Sequence, residues 1–229
     1  IENKTYKANW KANTDTAYKI EIYQMNLNGE YVKTEEKQKT GETDKIAKVV
    51  PEIKEGFTYE PSLSKVEANI APDGSTILTV YYKRNKYIVT LEKGAGIENV
   101  NGAESYYYGA TVTVNTEVKP GYTWNKWTSN SQKVSESTNK EYTIIMPAED
   151  VTLTASAKIN IYTITYDLTG GILLEEVTNP NKYSVEMPDI VLNNPIRTGY
   201  TFIGWTGSNG ESLETTVTIA KGSIGNKTY

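Results

Sequence analysis

The sequence predicts a mainly β protein made of small modules in tandem, and three observations carry that prediction. Period-two alternation of apolar and polar residues opens three stretches of the chain. A Gly-aromatic-Thr-aromatic element recurs at Gly56-Phe57-Thr58-Tyr59, Gly121-Tyr122-Thr123-Trp124 and Gly199-Tyr200-Thr201-Phe202, at spacings of 65 and 78 residues. Tight-turn dipeptides punctuate the whole chain, whereas helical periodicity is nearly absent.

The opening strand of each module follows from the alternation. Tyr18, Ile20 and Ile22 can share one face, as can Tyr87, Val89 and Leu91, and Tyr162, Ile164, Tyr166 and Leu168. Lys19 and Glu21, Thr90, and Thr163, Thr165 and Asp167 then point the other way, as expected of half-buried strands. A closing strand is expected through Leu78, Val80 and Tyr82 in the first module and through Val151, Leu153 and Ala155 in the second. In the third it starts at Asn226. Asn28-Gly29, Asp73-Gly74, Asn101-Gly102, Gly170-Gly171 and Asn209-Gly210 tolerate positive φ and read as hairpin turns. Pro51, Pro61, Pro120, Pro188 and Pro195 exclude central strands at those positions. Asp44–Val50 and Ile172–Val177 are short, β-branched helix candidates, so little helix is expected.

A longer period frames this pattern. Ile1-Glu2-Asn3-Lys4-Thr5-Tyr6 returns as Ile224-Gly225-Asn226-Lys227-Thr228-Tyr229, with five identities in six at a spacing of 223 residues. The chain is therefore expected to hold one cycle of a tandem array. Residues 1–15 would be the closing strand of a preceding repeat, centred on 3–10, plus a linker. Modules would span 16–85, 86–160 and 161–229, the last with its closing strand cut short, the whole forming an elongated array. Strand addition between neighbouring molecules is the expected consequence of that phase.

Composition narrows the chemistry. The 229 residues contain no Cys and no His, which excludes disulfides, thiolate or imidazole metal sites, and Ser-His-Asp or Cys-His catalysis. Carboxylates and lysines are plentiful, but no spacing singles out a catalytic pair, so no enzyme, cofactor or metal is expected. Net charge is −4, and the four segments above carry +1, −1, −1 and −3, so none is a basic stripe for nucleic acid. No apolar run reaches the length of a membrane span. Asn26–Glu30 and Asp73-Gly74 resemble calcium loops only superficially and read as turns. Hydrophobic content is 38%, and 18 Tyr stand against 2 Phe, which suits half-wet sheet faces better than a deep interior.

The third module, from Tyr162 to Gly171 and from Pro195 to Trp205, resembles the internalin B-repeat, also called the Listeria–Bacteroides repeat. The second is similar to its divergent form through Tyr107–Val114, Gly121–Trp127 and Met146–Ala155. The first is similar to a related surface-protein repeat through Tyr18–Tyr23, Gly56–Tyr59 and Asp73–Tyr82, but lacks the Trp that follows the motif as Trp127 and Trp205. The resemblance implies β-grasp-like modules on secreted, Gram-positive, cell-wall-anchored proteins, acting as the stalk of an adhesin. It brings no catalytic residues. Trp127 and Trp205 share a repeat phase and read as core. Tyr106, Tyr107 and Tyr108 are the candidate ligand residues, because a strand alternates its faces and should expose at least one ring to a host or matrix glycan or protein. Neighbouring repeats of the same chain are the other expected partners.

Overall fold

The computed structural model describes residues 3–229, and among them there is no helix. The described residues fall into two compact units, one of residues up to 90 with 104–112 and 143–151, the other of 91–103, 113–142 and 152–229. The first two residues of the expected 1–15 segment lie outside the described part.

The first stretch holds β1 (Thr16–Met25), β2 (Tyr31–Gly41), β3 (Ile46–Lys48), β4 (Phe57–Tyr59), β5 (Glu67–Asn69) and β6 (Ile77–Arg84). Its four-stranded sheet has the order β2-β1-β6-β4. The opening strand β1 and the closing strand β6 run parallel, with Ile20 opposite Leu78 and Ile22 opposite Val80, whereas β4 meets β6 antiparallel. Alternation puts Ile20, Ile22, Leu78, Val80 and Tyr82 into the core. Ala47 of β3 and Ile70, just past β5, cover Ile20 and Leu78, and Phe57, Tyr59 and Val66 pack on the cluster of Ile22, Val80 and Tyr82.

The second stretch comprises β7 (Lys86–Lys93), β8 (Ile97–Asn101), β9 (Ser105–Tyr107), β10 (Thr111–Val118), β11 (Tyr122–Ser129), β12 (Tyr142–Ile145) and β13 (Val151–Ile159). Its main sheet, β11-β13-β7-β9, repeats the earlier order: Gly-aromatic strand, closing strand, opening strand, outer strand. A second sheet has the order β12-β10-β8. Trp127 is 0% exposed and its indole N–H donates to the Lys140 carbonyl at 3.0 Å, so burial leaves no polar atom unpaired.

The third stretch has β14 (Tyr162–Thr165), β15 (Lys182–Tyr183), β16 (Ile190–Val191), β17 (Trp205–Gly207), β18 (Gly210–Glu214), β19 (Thr218–Ile219) and β20 (Lys227–Thr228). β14 again pairs in parallel with the closing strand, with Ile164 opposite Lys227, in the order β15-β14-β20. Trp205, 3% exposed, centres a core of Ile164, Tyr183, Leu192, Val217, Ile219 and Tyr229, and its N–H donates to Asn194 Oδ1 at 2.9 Å. Both motif tryptophans are therefore core residues.

Several expectations change. Residues 3–12 form no strand; Tyr6 is 89% and Trp10 93% exposed, because no segment of this chain lies beside them to complete a ladder. The helix candidate Asp44–Val50 instead supplies β3, whose pairing with β5 satisfies its backbone, and Ile172–Val177 is a turn with one bridge from Ile172 to Ile196. The five named prolines all lie outside strands. Asn26 Oδ1 accepts the N–H groups of Asn28 and Glu30, and Asp73 Oδ1 that of Ser75, so both calcium-like stretches are hydrogen-bonded turns.

Burial, then the neighbouring Tyr229, pushes the Tyr166 hydroxyl up to about 12 from an ordinary value of 10.0. The folded third repeat thus holds this proton longer than the unfolded chain, so stability is intact below pH 10 and falls as pH rises from 10 towards 12. Tyr166 also donates to the Pro180 carbonyl at 2.8 Å. Tyr166→Phe is expected to lose about 1 kcal/mol at neutral pH and to flatten the alkaline decline, measured by denaturant unfolding from about pH 8 to pH 12.

Candidate functional site

The first two copies of the repeat-marking element Gly-aromatic-Thr-aromatic lie where one repeat joins the next. In the first compact unit, a positive φ of 75° at Gly56 lets the chain turn, with the Phe57 N–H bonded to the Lys54 carbonyl at 3.1 Å. The strand that follows then runs against the end of β6, Phe57 facing Arg84, Thr58 facing Lys83 and Tyr59 facing Tyr82. Asn85, the single residue between β6 and β7, donates its backbone N–H to the Gly56 carbonyl at 2.9 Å, and the Thr58 hydroxyl donates to Asn85 Oδ1 at 2.8 Å.

The second unit repeats the device with different side chains. Gly121 has φ 84°, and the Tyr122 N–H bonds the Lys119 carbonyl at 3.2 Å. Tyr122 faces Ile159, Thr123 faces Lys158 and Trp124 faces Ala157. Asn160 donates its N–H to the Gly121 carbonyl at 2.9 Å and accepts from the Thr123 hydroxyl at 2.7 Å. The linkers share Lys-x-Asn, as Lys83-Arg84-Asn85 and Lys158-Ile159-Asn160. This short pattern marks both joins in the sequence, where short linkers are legible, whereas the bonds from its Asn to the Gly-aromatic-Thr segment are not.

Each glycine also seats a residue from the following repeat. A Cβ on Gly56 would fall 2.1 Å from the Tyr108 ring, and one on Gly121 2.2 Å from Val185 Cγ1. Tyr108 is held there by its N–H to the Asn85 carbonyl at 2.9 Å and by Arg84, which donates from Nη1 to the Tyr108 carbonyl at 2.7 Å and from Nε to that of Met25 at 2.8 Å. The Arg84 guanidinium lies 4.7 Å from the centre of the Phe57 ring, which meets Tyr108 edge-on. At the second junction the Tyr122 hydroxyl donates to Glu186, which holds the phenol above its ordinary pKa.

These contacts fix the fate of the candidate ligand residues. Tyr106, Tyr107 and Tyr108 are all half-buried: β9 pairs with β7, setting Tyr106 opposite Tyr87 and Tyr107 opposite Lys86, and Tyr108 caps the glycine. Tyr107, with the Lys86 ammonium 4.7 Å from its ring centre, lines an open groove of about 620 Å³ with Thr58, Lys83 to Tyr87. A neighbouring groove contains Glu52 as its one carboxylate, and the Tyr107 groove contains none, so neither presents the acid pair that glycoside hydrolysis uses. Among the described residues no cluster could hold a metal ion.

Substituting the glycines separates backbone strain from junction packing. Gly121→Ala and Gly199→Ala impose the same positive-φ strain, about 1 kcal/mol, yet only Gly121 has a neighbour that the new methyl would strike. Denaturant unfolding is expected to show a clearly larger loss for Gly121→Ala, with new protease cleavage near 157–162. Equal losses would contradict this account of the junction.

Comparison with known proteins agrees with this architecture. Residues 87–160 match the divergent InlB B-repeat domain, and residues 162–228 match the Listeria-Bacteroides repeat domain. Internalin H of Listeria monocytogenes is 38% identical over 90 residues, covering 38% of this chain and 14% of that protein. A protein named as a Gly-rich membrane protein in Evansella cellulosilytica is 27% identical over 157 residues, covering 66% of this chain and 17% of its own length. The chain thus matches only 14% and 17% of the lengths of these relatives. Residues 87–160 and 162–228 thus belong to the internalin B-repeat (Listeria–Bacteroides repeat) family, two consecutive domains of the kind that suggests a surface-protein repeat region.

Proposed function

We propose that the chain is a semi-rigid spacer of a bacterial surface protein, holding a binding region away from a cell-wall anchor and transmitting tension between them. The observation that supports it is the junction. One residue separates β6 from β7 and two separate β13 from β14, and in both places the linker Asn is tied to the preceding repeat by a backbone and a side-chain hydrogen bond. Linkers this short and this bonded restrict swivelling, whereas a flexible tether would be longer and free of such bonds. In this reading the repeats are not enzymatic, and their nearest partners are one another.

Small-angle X-ray scattering tests the spacer directly. A single 229-residue globule has a radius of gyration of about 17 Å; the proposal expects a clearly larger value and a long-tailed distance distribution. A radius at the globular value would end the spacer reading.

A second reading rests on Tyr107 and Tyr87, which line the open groove beside Lys83 and Asn85 and could stack on a sugar or a host-protein side chain. A glycan array followed by Tyr107→Ala tests it: binding lost in the variant supports recognition at this groove, and an array without hits removes the glycan form.

A further inference from the structure

The two joins share their framework and differ beside it. Thr58 faces Lys83 in the first, and Thr123 faces Lys158 in the second. Asn85 and Asn160 follow, and each donates from Nδ2, at 3.5 Å, to the hydroxyl of the tyrosine two residues on, Tyr87 or Tyr162. Those tyrosines stand opposite Tyr106 and Tyr183, which aligns Tyr107 with Ser184 and, in agreement with the glycine contacts, Tyr108 with Val185. Between Asn and Tyr the first join has Lys86 and the second has Ile161, which is 60% exposed. The second clasp is complete with Ile161 and Ser184, so nothing in the clasp itself calls for the pairing of Lys86 with Tyr107.

Lys86 and Tyr107 line the open groove of about 620 Å³ together with Lys83, Asn85 and Tyr87. Both lysines are exposed and both tyrosines half-buried, and no carboxylate lines the groove. Among the described residues the ion-paired lysines are Lys19, Lys33, Lys37, Lys48 and Lys126, and neither groove lysine is one of them. The Lys86 ammonium lies instead 4.7 Å from the centre of the Tyr107 ring. That contact orients the ammonium, but a ring has no net charge, so the positive charge stays uncompensated. Two point charges thus flank two flat rings with hydroxyl tips.

We infer that this groove binds an acidic glycan, a chain of sugar rings carrying carboxylates, with Tyr107 and Tyr87 against the ring faces and Lys86 and Lys83 on the carboxylates. The inference rests on the groove being a recognition surface, the second reading of the function, and adds the chemistry of the ligand. A pyranose offers an apolar C–H face rimmed by hydroxyls, the complement of a tyrosine with its apolar body and polar tip. The Arg84 fork is spent on the Met25 and Tyr108 carbonyls, so the groove presents separate point charges rather than a bidentate anion clamp. Charge density decides between polyanions. Residues 16–85 and 86–160 each carry −1, so a nucleic acid or a densely sulfated chain is repelled beyond the groove. A glycan with one carboxylate on every second sugar asks for no more cations than the two lysines supply.

Isothermal titration of the 229-residue chain tests this with an octasaccharide of alternating glucuronate and N-acetylglucosamine, and with the same octasaccharide after its carboxylates are reduced to alcohols. The acid form is expected to bind at least about tenfold more tightly than the reduced form, and to weaken as salt rises from about 50 to about 500 mM. Lys86→Ile and Tyr107→Ser place at the first join the residues that the second already accommodates, so the clasp stays closed. Lys86→Ile is expected to weaken the acid form about tenfold, the factor for one charge-assisted hydrogen bond, and to leave the reduced form unchanged. Lys86→Gln, which keeps most of the stem, is expected to do the same, and Tyr107→Ser to weaken both forms. Equal binding of the two forms, both weakened by Tyr107→Ser, overturns the acidic assignment while the recognition reading stands. Binding of neither form overturns both. Binding of the acid form that is indifferent to Lys86→Ile, or equalled by a glutamate peptide of the same charge, overturns the inference as well.

Discussion

Each of the first two repeats depends on one strand that arrives last in its sequence and lies inside its sheet, paired on both edges. β6 lies between β1 and β4, and β13 between β7 and β11. A strand paired on both edges has all its backbone groups satisfied by neighbours, and its alternate side chains fall into the core: Leu78, Val80 and Tyr82 in one, Val151, Leu153 and Ala155 in the other. The parallel pairing of β1 with β6 forces the chain between them to cross over, and part of that crossover forms the two-stranded β3–β5 sheet. It also makes each repeat close on itself only when its final residues are in place.

That constraint turns the linker into part of the fold. The residue after the central strand is an Asn in each of the first two repeats, and the same Gly-aromatic-Thr segment that borders the strand also binds the Asn. Closing one repeat and fixing the start of the next are thus one event. The positive φ of the glycine exposes its carbonyl to the linker and leaves room for Tyr108 or Val185 above, a space any side chain would fill.

Most of the framework was legible in the sequence because it rests on local periodicity. Alternation through Tyr18–Ile22 and Leu78–Tyr82 marked the first repeat's strands, and the repeat phase of Trp127 and Trp205 marked the core. Legibility failed where the outcome depends on a distant partner. The stretch at 3–10 has the pattern of a closing strand yet forms none, since a ladder needs neighbours. Asp44–Val50 has helix-compatible spacing, but pairing of Ile46–Lys48 with Glu67–Asn69 prevailed. Tyr106–Tyr108 looked like a surface run because alternation alone cannot show that Tyr108 would meet a glycine 52 residues earlier in the sequence. The Gly-aromatic-Thr element was recognised as a repeat marker, but its role stayed hidden, because Thr58 and Asn85 are 27 residues apart and Thr123 and Asn160 37.

Native-state hydrogen exchange at the Asn85 and Asn160 backbone amides probes the central claim most directly, since each N–H is bonded to a glycine carbonyl of the preceding repeat. If the clasps close the repeats, both amides exchange as slowly as those of Val80 and Leu153 within the central strands, and open only with the whole repeat. Exchange at the rate of an open loop, while Val80 and Leu153 stay protected, would show that the linkers are free and the account of the junction mistaken.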